Sequence, residues 1–229
     1  FRSHIRKVAY PRKRPPDSHP HPLAAAERNA AREYMQSLAA LAGLTLYMIQ
    51  KSEQDAREGV AGTRDYYWIK DVTNSPVRDP MPESGAVLGF VDVDYYINMP
   101  YLLAVNRGND AAIYTIQPTA CAGQMLDTEF WMEDNHINTR VQGGSDFRHR
   151  LWDYGGDTLL AYYELWTPEV NGYVAHASTY LVDRQTLSPH RQVITLSFTG
   201  HWSGLPADVI ANVSLMQQRR LKRLETKVG

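Results

Sequence analysis

The 229-residue chain has one cysteine, Cys121. A disulfide within the chain is therefore impossible, and a four-cysteine zinc site is excluded. A reducing compartment is the simplest setting. No run of about 20 apolar residues occurs, so no membrane-spanning helix is expected. No G-x-G-x-x-G, Walker loop, Ser-His-Asp arrangement or metal box is present. A formal net charge of -1 leaves no global attraction for nucleic acid. The charge is nonetheless uneven. Arg2, Arg6, Lys7, Arg12, Lys13 and Arg14 precede the first acid, Asp17, and Arg219, Arg220, Lys222 and Arg223 cluster near the other end. Such clusters suit phosphate or anionic lipid, or are simply solvated ends. The chain opens on Phe1 instead of Met, as a fragment of a longer protein would.

Residues 1–18 are basic and rich in proline and read as an extended arm. From Pro22 the stretch PLAAAERNAAREYMQSLAALAG predicts a helix, with proline at its first position and Gly43 as its stop. Short runs at 44–50, 66–70, 86–93 and 111–117 read as strands, with a short helix at 100–105. Strand and helix alternating in this way predict an α/β three-layer core. Past residue 120 the runs TEFWMED, HINTRVQ, TLLAYYELW, GYVAHASTYLV and QVITLSF predict an added antiparallel β extension. The expected division is an arm over 1–18, a core over 19–160 and a β-rich extension over 161–229. The last 25 or so residues suit either strand or helix.

Four groups of residues could carry chemistry. His19 and His21 precede the helix. Pro22 biases His21 toward extended backbone. The helix N-terminus favours a bound phosphate and a neutral, nucleophilic imidazole. Arg28, about two turns along the same face, could neutralise a phosphoryl group there. Asp71 follows the YYWIK strand, in a segment that ends at Arg78. An acid at the carboxyl end of a strand can hold the ribose or amino group of a nucleoside cofactor. It can equally cap a turn. Asp92 and Asp94, in Val-Asp-Val-Asp-Tyr-Tyr, are expected to share one face of the most hydrophobic strand, with Val93 opposite. Two like charges there need a metal, a base edge or a basic side chain as partner. Finally, Gly143 to Tyr154 mixes aromatics with arginines, which suits a nucleobase and its phosphates. Trp152 and Tyr154 within it read as core.

Together these blocks resemble the N-terminal part of nodavirus replicase. The likeness rests on GFVDVDYYINMPYLL, AAIYTIQPTACAG, VQGGSDFRHRLWDY and HPHPLAAAERNAAREYM, and covers roughly 19–160. It implies a methyltransferase-like fold, similar to the alphavirus-type capping enzymes. It also implies their chemistry. GTP is methylated at N7 with S-adenosylmethionine, a histidine forms a covalent m7GMP adduct, and m7GMP passes to a 5′-diphosphate RNA end. Carried over, His21 is the nucleophile, chosen over His19 by its spacing to Arg28, the phosphate partner. Asp71 is the S-adenosylmethionine carboxylate, and Arg78 lies near the triphosphate. Asp94, with Asp92 and Tyr95, meets the guanine, and Phe147 supplies a stacking face. Mg2+ or Mn2+ is expected for adduct formation, with no ligands assigned. The resemblance further implies a cytosolic organelle membrane surface, most often mitochondrial, self-association into a ring, and the polymerase region of the same replicase as partner. Alternatives are a plain S-adenosylmethionine-dependent methyltransferase and a membrane-bound scaffold without catalysis.

Overall fold

A computed structural model describes residues 22–50, 66–68, 84–117, 123–125, 128–141, 147–188 and 191–204. Helix α1 spans Pro22–Leu41. Ala31, Met35 and Ala39, four residues apart, form its buried stripe. Its end is a glycine stop. Gly43 has φ +66°, and the amides of Gly43 and Leu44 return to the carbonyls of Ala40 and Ala39 at 3.1 and 2.8 Å. A left-handed residue there lets the last carbonyls find donors. The turn then feeds β1 (Thr45–Gln50).

The sheet continues with β2 (Tyr66–Trp68), β3 (Ala86–Val91) and, after helix α2 (Met99–Val105), β4 (Asp110–Ile116). These four strands are mutually parallel, in the order β2-β1-β3-β4. Every residue of β3 is buried. Val87 and Val91 pack into the cluster under α1, while Leu88 and Phe90 pack toward α2. A strand covered on both faces has no polar side to show, which is why its sequence is continuously apolar. Burying a side chain such as Phe90 contributes about 1.5–3 kcal/mol. Gly89 faces side chains of both β1 and α1. A Cβ there would meet Met48 Sδ at 2.7 Å and Met35 Sδ at 3.3 Å.

Four short strands, β5 (Gly123–Met125), β6 (Thr128–Glu133), β7 (His136–Val141) and β8 (Phe147–Arg150), form a separate antiparallel meander. Strands β9 (Thr158–Thr167), β10 (Gly172–Ser188) and β11 (Arg191–Ser203) then return to the first sheet. They extend it to seven strands, in the order β2-β1-β3-β4-β11-β10-β9, with β11 antiparallel to β4. The α/β core and the antiparallel addition expected from sequence are both present. Residues 160 and 161 are neighbours within β9, so the antiparallel half is continuous with the parallel half through backbone hydrogen bonds. Among the described residues no helix is long and apolar enough to cross a membrane.

Candidate functional site at the end of strand β3

One expectation is corrected by the backbone. Asp92 and Asp94 do not share a strand face. β3 ends at Val91, and Asp92 has φ +51°. That left-handed residue turns the chain out of the sheet, and Asp94–Tyr96 form a single 3-10 turn. Asn98 then caps α2, its side chain accepting from the Tyr101 amide at 3.3 Å. Two tight turns between a central strand and a short helix thus hold both acids at the carboxyl edge of the parallel strands. Ligands bind at such an edge in open α/β sheets.

The two acids have different environments. Asp92 is flanked by arginines: Arg191 Nε lies 3.4 Å from Oδ1 and Arg28 Nη1 lies 3.9 Å from Oδ2. Its side chain is 9% exposed. Asp94 is 2% exposed and has no cation beside it among the described residues. Tyr154 Oη donates to its Oδ2 at 2.7 Å, and Trp152 Nε1 donates to its backbone carbonyl at 2.8 Å. Oδ1 has no hydrogen-bond partner among the described residues. Burial, with the Asp92 charge adding to it, pushes the Asp94 carboxyl up to about 7, against the pull of Tyr154 and of the nearby Thr115 hydroxyl, which lies outside good hydrogen-bond geometry. The sequence demanded partners for both acids; among the described residues only Asp92 receives a basic one.

Aromatic side chains surround this edge. The Tyr95 ring centre is 4.4 Å from that of His149, and Tyr96 Oη is 3.2 Å from His149 Nε2. These contacts tie the 3-10 turn to β8 of the smaller sheet. Tyr95 also packs beside Ile116 and Ile137. Burial raises the Tyr95 phenol well above its ordinary range, so it stays neutral. On the other side, Tyr114 Oη donates to Glu27 Oε2 at 3.0 Å. Glu27 and Arg28, neighbours in α1, therefore both reach the strand ends.

Of the residues singled out in the sequence, Arg28, Asp92, Asp94 and Tyr95 belong to this region. Phe147 opens β8 with its backbone opposite Thr139. His21, Asp71 and Arg78 lie outside the described residues. Pro22, directly after His21, is the first residue of α1. Trp152 and Tyr154 are core-associated, as expected: Tyr154 is buried and Trp152 packs against the main cluster. Sequence reading missed Arg191, Glu27, Tyr114 and the pairing of His149 with Tyr96. A charged residue heading the apolar run VITL was the available signal for Arg191. Among the described residues no group of three or more His, Cys, Asp or Glu is placed to hold a metal ion.

Comparison with known proteins adds a family. A family model described as Nodavirus Vmethyltransferase matches residues 12–163. The RNA-directed RNA polymerase of Atlantic halibut nervous necrosis virus is 36% identical over 141 residues, 62% of this chain and 14% of that protein. That of Pieris rapae virus is 35% identical over 141 residues, 62% of this chain and 13% of that protein. That of Pariacoto virus is 28% identical over 180 residues, 78% of this chain and 17% of that protein. The chain thus spans less than a fifth of the length of these relatives. With two turns carrying paired acids at a parallel sheet edge, and a family match over most of its length, the chain belongs to the nodavirus methyltransferase family.

Proposed function

We propose that this chain is the RNA-capping domain of a nodavirus replicase. It methylates GTP at N7 with S-adenosylmethionine, forms an m7GMP–His21 adduct, and transfers m7GMP to a 5′-diphosphate RNA end. The reading is carried by one contact in a family-matched segment: Arg28 of α1 reaches Asp92 at the end of β3. The first two turns of α1 therefore adjoin the carboxyl edge of the parallel strands. This supports a nucleophile immediately before Pro22, where helix N–H groups favour phosphate and disfavour imidazolium.

In the adduct step a neutral His21 nitrogen attacks the α-phosphorus of m7GTP. The P–N bond forms as the bond to the bridging oxygen breaks, and pyrophosphate leaves. Arg28 offsets the charge that develops on the phosphoryl oxygens. The terminal oxygen of the RNA diphosphate then displaces His21 and restores its lone pair. Asp94 and Asp92 are assigned to the guanine edge. Once ionised, above about pH 7, the Asp94 carboxyl would accept from the base N–H groups at Oδ1, the oxygen without a partner among the described residues. Tyr95 and Phe147 are assigned to the base beside it.

S-adenosylmethionine, when bound, supplies the methyl group. Asp71 comes three positions after Trp68, the last residue of parallel strand β2, which suits a ligand beyond the strand ends. Arg78 is assigned to the triphosphate. A Mg2+ or Mn2+ requirement for adduct formation is a separate expectation, and none of the steps above runs through a metal. The β9–β10 hairpin exposes Trp166 (50%), Val170 (63%) and Tyr173 (71%). That patch supports contact with an organelle membrane, of mitochondrial type by family resemblance, or ring assembly with other copies. The polymerase region of the same replicase would be the further partner.

Transfer of labelled methyl from S-adenosylmethionine to GTP tests the reading. Labelled N7-methyl-GTP is expected, and its loss in Asp71→Ala. Protein that binds neither S-adenosylmethionine nor GTP would overturn it in favour of a scaffold without catalysis.

A further inference from the structure

Arg191 is the first residue of β11, and the ladder sets it opposite Ile116, the last residue of β4. An antiparallel neighbour of a parallel strand begins where that strand finishes. The topology therefore delivers the head of β11 to the edge that holds Asp92. There Arg191 Nε lies 3.4 Å from Asp92 Oδ1, while Arg28 of α1 lies 3.9 Å from Oδ2. One carboxylate is bracketed by cations from two elements far apart in the chain. Its backbone sits at φ +51°, which a non-glycine residue keeps only when its surroundings enforce it.

The family-matched segment ends at residue 163, so Arg191 comes from the part beyond it. Local charges are paired: Arg28 and Arg191 face Asp92, and Glu27 accepts from Tyr114 and adds to the field at Arg191. Burial works against the Arg191 guanidinium, but Asp92, Tyr95, Tyr114 and Glu27 together more than offset it and hold it charged. The shorter of the two contacts to Asp92 is the one from Arg191. Arg191 shares the Asp92 charge with Arg28, so an incoming phosphate can compete for Arg28 without leaving that carboxylate uncompensated.

We propose that Arg191 is a positioning residue of the nucleotide site, holding Asp92 in place so that Arg28 can engage phosphate. The inference rests on the capping reading of the same site. It makes the antiparallel half of the sheet a working part of that site. Without Arg191, a nearly buried carboxylate would have Arg28 as its one remaining cation among the described residues.

Calorimetric GTP binding by the full chain tests this, using wild type, Arg191→Ala, Arg191→Lys, Asp92→Asn and the double variant Arg191→Ala/Asp92→Asn. Arg191→Ala is expected to weaken GTP binding on the order of 10- to 100-fold, by analogy with the loss on removing partners that orient metal-binding side chains. Arg191→Lys should restore part of it. The double variant should bind no more weakly than Asp92→Asn alone, because the two residues act as one unit. Unchanged affinity in Arg191→Ala, or losses that simply add, would overturn the inference. If Arg191→Ala does not fold, the same cycle run with Arg191→Lys decides it. Wild type that binds GTP without methylating it would sink the capping reading and leave this cycle valid. Wild type that does not bind GTP would overturn both.

Discussion

Replacing Asp94 by Asn removes a titration that the fold opposes. The folded carboxyl titrates near 7, against 3.8 for an unhindered aspartate, chiefly because it is buried. Between those values the folded protein holds a proton that the unfolded chain has released. Stability must therefore fall as pH rises from about 4 to about 7. At ~1.4 kcal/mol per pH unit, the loss is about 2 kcal/mol by pH 5 and about 4 kcal/mol by pH 7, as an order of magnitude. Asn is neutral throughout and can still accept from Tyr154. Its new amide adds an offset that does not vary with pH. Urea unfolding of wild type and Asp94→Asn from pH 4 to 8 gives the difference directly, since every other titrating group cancels. The variant should gain on wild type steadily up to pH 7 and then level off. Parallel stability curves would refute the reasoning. They would mean that Asp94 is already ionised in the fold, with water or a cation beside it.

Three further outcomes concern the frame around the site. Gly89→Ala should cost under about 1.5 kcal/mol in urea unfolding, since the Met48 and Met35 thioethers can yield, whereas Gly89→Val should cost roughly 2–3 kcal/mol. Ser178 Oγ lies 2.9 Å from the carbonyls of Ala104 and Asn106 and from His201 Nδ1. Its single proton serves a carbonyl, so His201 must donate from Nδ1. Nitrogen NMR should show that tautomer, and Ser178→Ala should lose about 1–3 kcal/mol. Burial, with Arg107 adding to it, lowers both His176 and His201 below 6.5. Their contribution is present above pH 6.5 and lost as pH falls below it, so His176→Gln should flatten the acid side of the stability profile.

The α/β character was legible because apolar periodicity reports burial. The run AVLGFV reads as a strand covered on both faces, and it is one. Proline and glycine at the two ends of α1 mark its limits by backbone chemistry alone, and both limits match. The chain reversal at Asp92 was not legible. A left-handed aspartate carries no pattern of its own, and strand alternation placed Asp92 and Asp94 on one face. Arg191 was hidden for another reason. Its partner lies 99 positions earlier, and only the antiparallel return of β11 along β4 brings them together. Local periodicity is silent about long-range ladders of this kind. The unequal state of the two acids is likewise a product of packing. Trp152 and Tyr154 close over Asp94, while α1 and β11 present cations to Asp92.

The most direct measurement is covalent labelling of the full chain with GTP carrying a labelled α-phosphate. With S-adenosylmethionine present, a label that survives denaturation is expected. It should vanish in His21→Ala and fall by about 2–4 kcal/mol of transition-state stabilisation in Arg28→Ala, or roughly 30- to 1,000-fold in rate. Methylated GTP without any label on the protein, or a label retained by His21→Ala, would contradict the account.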